Sequence, residues 1–229
     1  MCGRYAASAN PDELVEEYRL DEVADSGARA CVPRYNIAPT DTVPAIVERA
    51  TEPGAVRKLV GLRWGLVPSW SRDASSGARM INARVETVTE KPAFRKAMSA
   101  RRCLLPALGY YEWRKESDGG KPVKQPYFLQ PTDGSLVHMA GLYEFWKGPE
   151  LWLVSTSIIT TSVTDDLGWV HDRMPMTVVD RDAWLDPSLT NGEAARALLG
   201  AVANLRPTKV SRAVNSVAHD GESLLRPVE

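Results

Sequence analysis

The strongest constraint on how this chain can fold is its supply of short strand-like segments, with few helices between them. Nine runs rich in β-branched and aromatic residues read as strands: 42–48, 56–64, 101–105, 109–115, 126–130, 136–146, 151–160, 176–179 and 208–214. Asp118-Gly119-Gly120 has the chemistry of a hairpin tip. The best-marked helix covers 11–19, where Asn10 can cap, Pro11 takes the first helical position and Glu13 can complete a capping box. Shorter helices are expected at 92–98, 181–185 and, after an Asn191 cap, 193–202. The segment Arg34 to Thr40 reads as an ordered loop, and Ser71 to Gly77, rich in Ser and Gly, as a flexible one. Strands with scattered helices do not form a regular strand–helix alternation. They predict a strand-rich α+β fold with a curved, barrel-like sheet and short peripheral helices. Neither a repeat nor a low-complexity linker divides residues 1–229, so one domain is expected.

The 229 residues are 44% hydrophobic and 25% charged, an ordinary globular balance with a formal net charge of −1. Such neutrality does not advertise nucleic-acid binding, so any such contact must come from a local basic patch. Cys2, Cys31 and Cys103 are an odd set without a C-x-x-C pair, and the three histidines lie far apart. Neither disulfides nor a metal site is expected, and no cofactor motif is present. No apolar run approaches the roughly 18 residues of a membrane helix, and MCGRYAAS is not a secretory signal. A cytoplasmic, reducing setting with no membrane partner is expected, and there a thiol stays free.

Cys2 opens a specific chemistry. If the small second residue lets Met1 be removed, one residue carries both a free α-amine and a thiol. The amine, with a reference pKa of about 7.7–8.0, is in substantial part neutral near pH 7 and can attack an aldehyde to give an imine. The adjacent thiol can then close a five-membered thiazolidine, with the effective molarity of an intramolecular step. The plain alternative is a small residue near an exposed terminus. Cys103, within Arg-Cys-Leu-Leu, reads as a buried strand residue.

Other segments are denser in polar and aromatic residues than a core requires: Trp64-Gly-Leu-Val-Pro-Ser-Trp70, Ile81-Asn-Ala-Arg-Val-Glu-Thr87, Gly109-Tyr-Tyr-Glu-Trp113 and His171-Asp-Arg-Met-Pro175. With Met1-Cys-Gly-Arg-Tyr5, Tyr35-Asn-Ile-Ala-Pro39 and Ser211-Arg-Ala-Val214, the chain resembles the SOS response-associated peptidase family nearly end to end. The resemblance implies covalent capture of abasic sites in single-stranded DNA by Cys2. Asn82, Glu112 and His171 would complete the active site. It also implies involvement in the SOS response and association with the nucleoid when DNA-bound. Monomeric action is expected.

Each role has a bland alternative. Alternation places Tyr110, Glu112 and Arg114 on one strand face, so Glu112 is either a proton shuttle with a raised pKa or a surface carboxylate paired with Arg114. His171 suits protonation of the sugar ring oxygen as the closed sugar opens, or is merely solvated. Asn82 either orients the Cys2 amine or makes a turn. DNA contacts are expected from Arg4, Arg84 and Arg173, with Trp70 and Trp113 stacking on bases. Pro39 and Thr160 join them by resemblance. Trp152 and Trp184 are expected to fill core. Some relatives carry a second aromatic where this chain has Ser71, which bears on how a duplex junction would be wedged. A thiol peptidase acting on its own amino terminus or on peptides, built on Cys2, Glu112 and His171, is the competing reading. A non-covalent single-strand binder is the third.

Overall fold

The computed structural model describes residues 2–149, 152–163 and 166–228. The first part of the chain runs through β1 (Tyr5–Ala7), α1 (Pro11–Tyr18), β2 (Glu22–Val23), α2 (Asp25–Ala30) and β3 (Arg34–Ile37). It continues with β4 (Thr42–Ala50), β5 (Ala55–Trp64), β6 (Asn82–Arg84), α3 (Arg95–Ala100) and β7 (Arg102–Ala107). Then come β8 (Gly109–Asp118), β9 (Lys121–Pro131), β10 (Val137–Lys147), β11 (Trp152–Ser162) and β12 (Arg173–Val178). The last elements are α4 (Arg181–Leu185), α5 (Gly192–Arg196), β13 (Leu199–Ala201) and β14 (Leu205–Lys209).

Five of these strands close on themselves. They follow the order β11-β10-β7-β4-β5, and β5 returns to pair in parallel with β11, Arg63 opposite Ser155 and Trp64 opposite Thr156. Side chains alternate across the wall with the two-residue period of a strand. Val43, Ala45, Val47, Leu62, Trp64, Cys103, Leu105 and Ile158 belong to one buried cluster inside. Ile46, Leu59, Leu104, Ala140, Leu142 and Ile159 face the other way. There they pack under Leu14 and Tyr18 of α1, Met98 of α3, Trp184 of α4 and Ala195 of α5. Arg102 is 4% exposed and fastens this layer: its guanidinium donates to the carbonyls of Met98, Trp184 and Asp186. A buried cation is tolerable there because carbonyl oxygens stand in for its water.

A second sheet, ordered β14-β9-β8-β1-β3, lies against the barrel. Its inward side chains Tyr5, Tyr110, Tyr127 and Leu129 share the barrel's own interior cluster. Its outward Ala6, Tyr111 and Phe128 are covered by Val210, Val214 and Leu224 near the end of the chain. The β8–β9 hairpin turns through Gly119 and Gly120 at φ 57° and 80°, the left-handed pair that suits the twist of two antiparallel strands.

The strand-rich, barrel-like α+β architecture is as the sequence predicts, and α1 carries its capping box. Several local expectations give way to tertiary pairing. Residues 34–37 are a strand because β1 offers an edge, with Tyr5 opposite Ile37. The helix expected over 193–202 stops at Arg196, since Leu199–Ala201 pairs with β12 instead. The strand expected over 208–214 is β14 followed by a 3₁₀ turn at Arg212–Asn215. The flexible loop expected over 71–77 instead runs into a 3₁₀ turn at Ala74–Arg79 capped by Asp73. Gly77 packs so closely on Gly65 that an added Cβ would sit 2.4 Å from the Gly65 carbonyl oxygen. Trp184 is core at 0% exposure, but Trp152 is 65% exposed at the start of β11, where Lys147 lies over its ring. Leu151, where that strand was expected to begin, lies outside the described residues. No described helix is long and apolar enough to cross a membrane.

The barrel interior leaves little slack at Gly141, where a Cβ would lie 2.8 Å from Cys103 Sγ and 3.2 Å from Leu105 Cδ1. Gly141→Ala should therefore cost about 1–3 kcal/mol, the range for overpacking a core. In urea denaturation the midpoint should fall with the slope unchanged. Adding Cys103→Ala should restore part of the loss, so that the double variant loses less than the sum of the two.

Candidate active site

The amino-terminal segment enters the protein as an interior strand of the second sheet, next to its β3 edge. β1 is held on both sides, by Ile37 and Arg34 of β3 and by Gly109 and Tyr110 of β8. The N–H of Tyr111 donates to the Arg4 carbonyl at 2.9 Å, extending the pairing towards the terminus. Cys2 is thereby drawn to the mouth of the barrel and is 0% exposed within the interior cluster. This corrects the expectation of an exposed terminal residue: strand pairing on both edges holds the segment inside. Burial first, and the nearby Glu112 carboxylate second, push the Cys2 thiol well above its usual range. The thiol is held protonated.

Two residues from distant parts of the chain bear on it directly, Asn82 and Glu112, and a third, His171, lies beside Glu112. Asn82 opens β6, which pairs in parallel with β11, Asn82 opposite Ile158. Its Nδ2 donates to the Cys2 carbonyl at 2.8 Å. Its Oδ1 is buried without a hydrogen-bond partner among the described residues, an acceptor of the kind that folding seldom leaves idle. The alternative of a turn residue is excluded by its place in a strand.

Glu112 lies on β8, on the same face as Tyr110, and is 3% exposed. Burial pushes its carboxyl up to about 7, so both protonation states are populated at neutral pH. It does not pair with Arg114, which leans towards Glu116 at 3.8 Å. Instead its Oε2 lies 3.7 Å from Nε2 of His171.

His171 sits between a 3₁₀ turn at Asp166–Trp169 and β12. Burial lowers its pKa below the ordinary imidazole value, which favours the neutral ring near pH 7. Its Nδ1 accepts the Arg173 backbone N–H at 3.0 Å. In that neutral ring the proton is on Nε2, the nitrogen that faces Glu112. Asp172 Oδ1, 2.9 Å from Nδ1, is an acceptor ready for a second proton when the ring is charged.

An open cleft of about 590 Å³ runs past this group, lined by Arg4, Glu112, Trp113, Lys115, Lys124, His171 and Asn215. Of the expected DNA-contact residues, Arg4 and Trp113 therefore face the cleft, while Pro39, Trp70 and Arg84 are not among its lining residues. Trp70 is 60% exposed on its own loop. Arg84 is exposed, and Pro39 is half-buried in the turn after β3.

Two of the arginines have structural work. Arg173 grips both oxygens of Glu86 at 2.6 and 3.1 Å and the Thr160 carbonyl at 2.8 Å. Thr160 itself is 1% exposed. Arg4 donates to Asn36 Oδ1 at 2.6 Å and to the Val214 carbonyl at 2.9 Å, with its guanidinium 5.9 Å from the Trp113 ring centre. Asn36 in turn holds the carbonyls of Val214, Ser216 and His219. The Tyr35-Asn-Ile-Ala-Pro39 and Ser211-Arg-Ala-Val214 segments thus form one brace around Arg4. Sequence reasoning missed Glu86, Asn36, Asn215, Lys115 and Lys124. The hairpin tip at Gly119-Gly120 was the available signal for the lysines, since it sets Lys115 opposite Lys124. Among the described residues no group of three or more His, Cys, Asp or Glu side chains could hold a metal ion.

Comparison with known proteins places the whole chain. The family model described as SOS response associated peptidase (SRAP) matches residues 1–217. The chain is 34% identical to the abasic site processing protein YoqW of Bacillus subtilis (strain 168), covering 98% of this chain and 99% of that one. It is 28% identical to the abasic site processing protein HMCES of Xenopus tropicalis, covering 94% of this chain and 75% of the relative. A crystal structure of a Bacteroides thetaiotaomicron protein shares the fold over the full length of both chains, with a TM-score of 0.81 at 24% identity. A phage-related protein from Bordetella bronchiseptica superposes with a TM-score of 0.67 at 28% identity, covering 92% of this chain and 95% of that one. The family match and the near-complete alignment with YoqW lead to one conclusion: the chain belongs to the SOS response associated peptidase (SRAP) family.

Proposed function

We propose that this protein processes abasic sites in single-stranded DNA by bonding covalently to them through Cys2 once Met1 has been removed. The observation that carries the reading is the convergence of Asn82, Glu112 and His171 on a buried Cys2. Asn82 touches its carbonyl at 2.8 Å, the Glu112 carboxylate is near enough to raise the thiol, and His171 Nε2 lies 3.7 Å from Glu112 Oε2. The names of the relatives, which are abasic site processing proteins, point the same way.

The steps balance without an oxidant or cofactor. In its protonated form His171 gives a proton to the ring oxygen while the Glu112 carboxylate takes the proton of the C1′ hydroxyl, which opens the sugar hemiacetal to the C1′ aldehyde and leaves His171 neutral and Glu112 as the acid. The neutral Cys2 amine attacks C1′. The resulting carbinolamine loses water as the Glu112 carboxylic acid protonates the departing hydroxyl, leaving an imine. The Cys2 sulfur then bonds to the imine carbon and the thiol proton passes to nitrogen through Glu112, which closes the thiazolidine. Asn82, already on the Cys2 carbonyl, positions the residue, and its idle Oδ1 suits the amine or a sugar hydroxyl. Exclusion of water from the buried site disfavours reversal by hydrolysis.

The same residues are those of a peptidase reading, but a thiol whose burial holds it protonated weighs against a standing Cys–His nucleophile pair. It suits a thiol that acts only after an imine has formed beside it.

Incubating Met1-processed protein with a single strand carrying an aldehydic abasic site should give a band that survives denaturation. Mass spectrometry should place the bond on the Cys2 peptide with loss of one water. Cys2→Ala keeps a terminal amine but cannot close the ring, so it should give an adduct that survives only after borohydride reduction. A borohydride-independent adduct from Cys2→Ala would refute the thiazolidine.

Glu112 generates a second prediction. Its folded-state pKa of about 7 is raised above the ordinary carboxyl value, so the folded protein binds the extra proton between roughly pH 4.5 and 7. Stability from this group is present at the acid end and lost as pH rises through 7. Glu112→Gln should therefore flatten the pH dependence of the denaturation midpoint across that window. It should also slow adduct formation about 100-fold or more, the scale of proton-transfer catalysis, and remove an inflection near pH 7 from the rate profile. An unchanged rate would remove Glu112 from the chemistry.

A further inference from the structure

The outer end of the cleft carries a feature that the capture chemistry does not use. Lys115 on β8 and Lys124 on β9 are directly opposite each other across the hairpin, and both line the cleft that contains Glu112 and His171. Like charges at directly opposed strand positions destabilise a sheet. Neither lysine makes an ion pair among the described residues, although Asp118, Glu116 and Glu112 lie on the same hairpin. Those acids are engaged elsewhere: Asp118 with Arg212, Glu116 with Arg114 and the Tyr127 hydroxyl, Glu112 beside His171. In a chain of net charge −1, two unneutralised lysines face one cleft with Arg4.

The cleft wall beside the lysines is aromatic. Trp113, on the strand face it shares with Lys115, lines the same cleft, its Nε1 donating to Asn215 Oδ1 at 2.6 Å and its ring under the Arg4 guanidinium. A fixed indole face next to cations is the combination that tracks a single strand, base on the ring and phosphate on the charge. From Glu112 to Lys115 is three residues, roughly 10 Å along an extended strand, and although the odd step puts Lys115 on the outer face with Trp113, both residues open on the same cleft. That distance is within reach of the phosphates neighbouring a sugar held at Cys2.

From these observations we infer that Lys115 and Lys124 form a phosphodiester clamp. It holds the DNA strand on one side of the captured sugar, with Trp113 stacking the adjacent base. The clamp deepens the function proposed above and rests on it, since it presumes that the cleft takes DNA. An anion between the lysines relieves a repulsion that the free protein endures. The clamp adds affinity and register without touching the reacting atoms.

The test uses a single strand with a tetrahydrofuran abasic analogue, which has no aldehyde and so reads binding apart from bonding. Lys115→Gln/Lys124→Gln should bind it on the order of tenfold more weakly. Its log–log salt dependence should be shallower by about 1.4, the loss of two single-strand phosphate contacts at ~0.7 each. Replacing single phosphates by neutral methylphosphonates should reveal a position, on one side of the lesion only, that weakens wild type and leaves the double variant unaffected. Lys124→Glu provides the control for folding: it turns a like pair into an opposite pair, so the melting temperature should hold or rise while DNA affinity falls. A purely structural lysine pair would move stability and binding together. Unchanged affinity and salt slope in the double variant would overturn the clamp, as would the absence of any such methylphosphonate position. If aldehydic DNA gives no adduct while these binding signatures appear, covalent capture fails and the clamp stands. If the adduct forms without them, only the clamp fails.

Discussion

A strand of three residues near the amino terminus, paired on both edges, is the constraint on which the site depends. Chain termini usually fray because nothing satisfies their backbone groups. Here β1 finds β3 on one side and β8 on the other, and Tyr5 packs edge-on against Trp64 with ring centres 5.2 Å apart. That contact joins the second sheet to the barrel interior. It also sets where Cys2 goes, because three residues before Tyr5 leave no slack for the chain to wander. The Arg4–Asn36 brace to the carbonyls near residue 214 secures the same segment from the far side. A reactive residue beside a terminus is thereby placed with the precision of a core position.

Placement in the barrel mouth also decides the electrostatics. Removal from water raises the Cys2 thiol and the Glu112 carboxyl and lowers the His171 ring, all in favour of neutral forms. The outcome is a carboxyl balanced near neutral pH beside a neutral imidazole and a protonated thiol. Such a set moves protons readily and holds little standing charge. It suits condensation of an amine with a carbonyl, where each step needs a proton delivered or removed and none needs a strong base. The charged residues are kept to the periphery: Arg173 is bound to Glu86 at the rim, and Lys115 and Lys124 lie along the outer cleft.

Arginines within the family-like motifs illustrate how one residue type divides its work. Arg4 and Arg173 lie close to the site, yet both are already bonded within the protein, Arg4 to Asn36 and Val214 and Arg173 to Glu86 and Thr160. They hold the strands that carry Cys2 and His171 at fixed distance. Among the described residues, the two lysines of the cleft make no ion pair, and no motif had marked them.

Much of this was legible in the residues themselves. Two-residue alternation, turn chemistry and the capping box are local properties, so the strand-rich fold, the Gly119-Gly120 hairpin and helix α1 could be read directly. Alternation also put Glu112 on the face of Tyr110, and a strand face has only two choices. What the sequence could not determine was which edges would meet. Residues 34–37 and 199–201 became strands because a partner was waiting, and no local propensity records a partner. The same holds for the burial of Cys2, the exposure of Trp152 and the opening of the opposed lysines onto one cleft. Composition and periodicity are set by neighbours in the chain. Solvent exclusion and charge opposition depend on neighbours in space, and only the closed barrel with its packed second sheet supplies those.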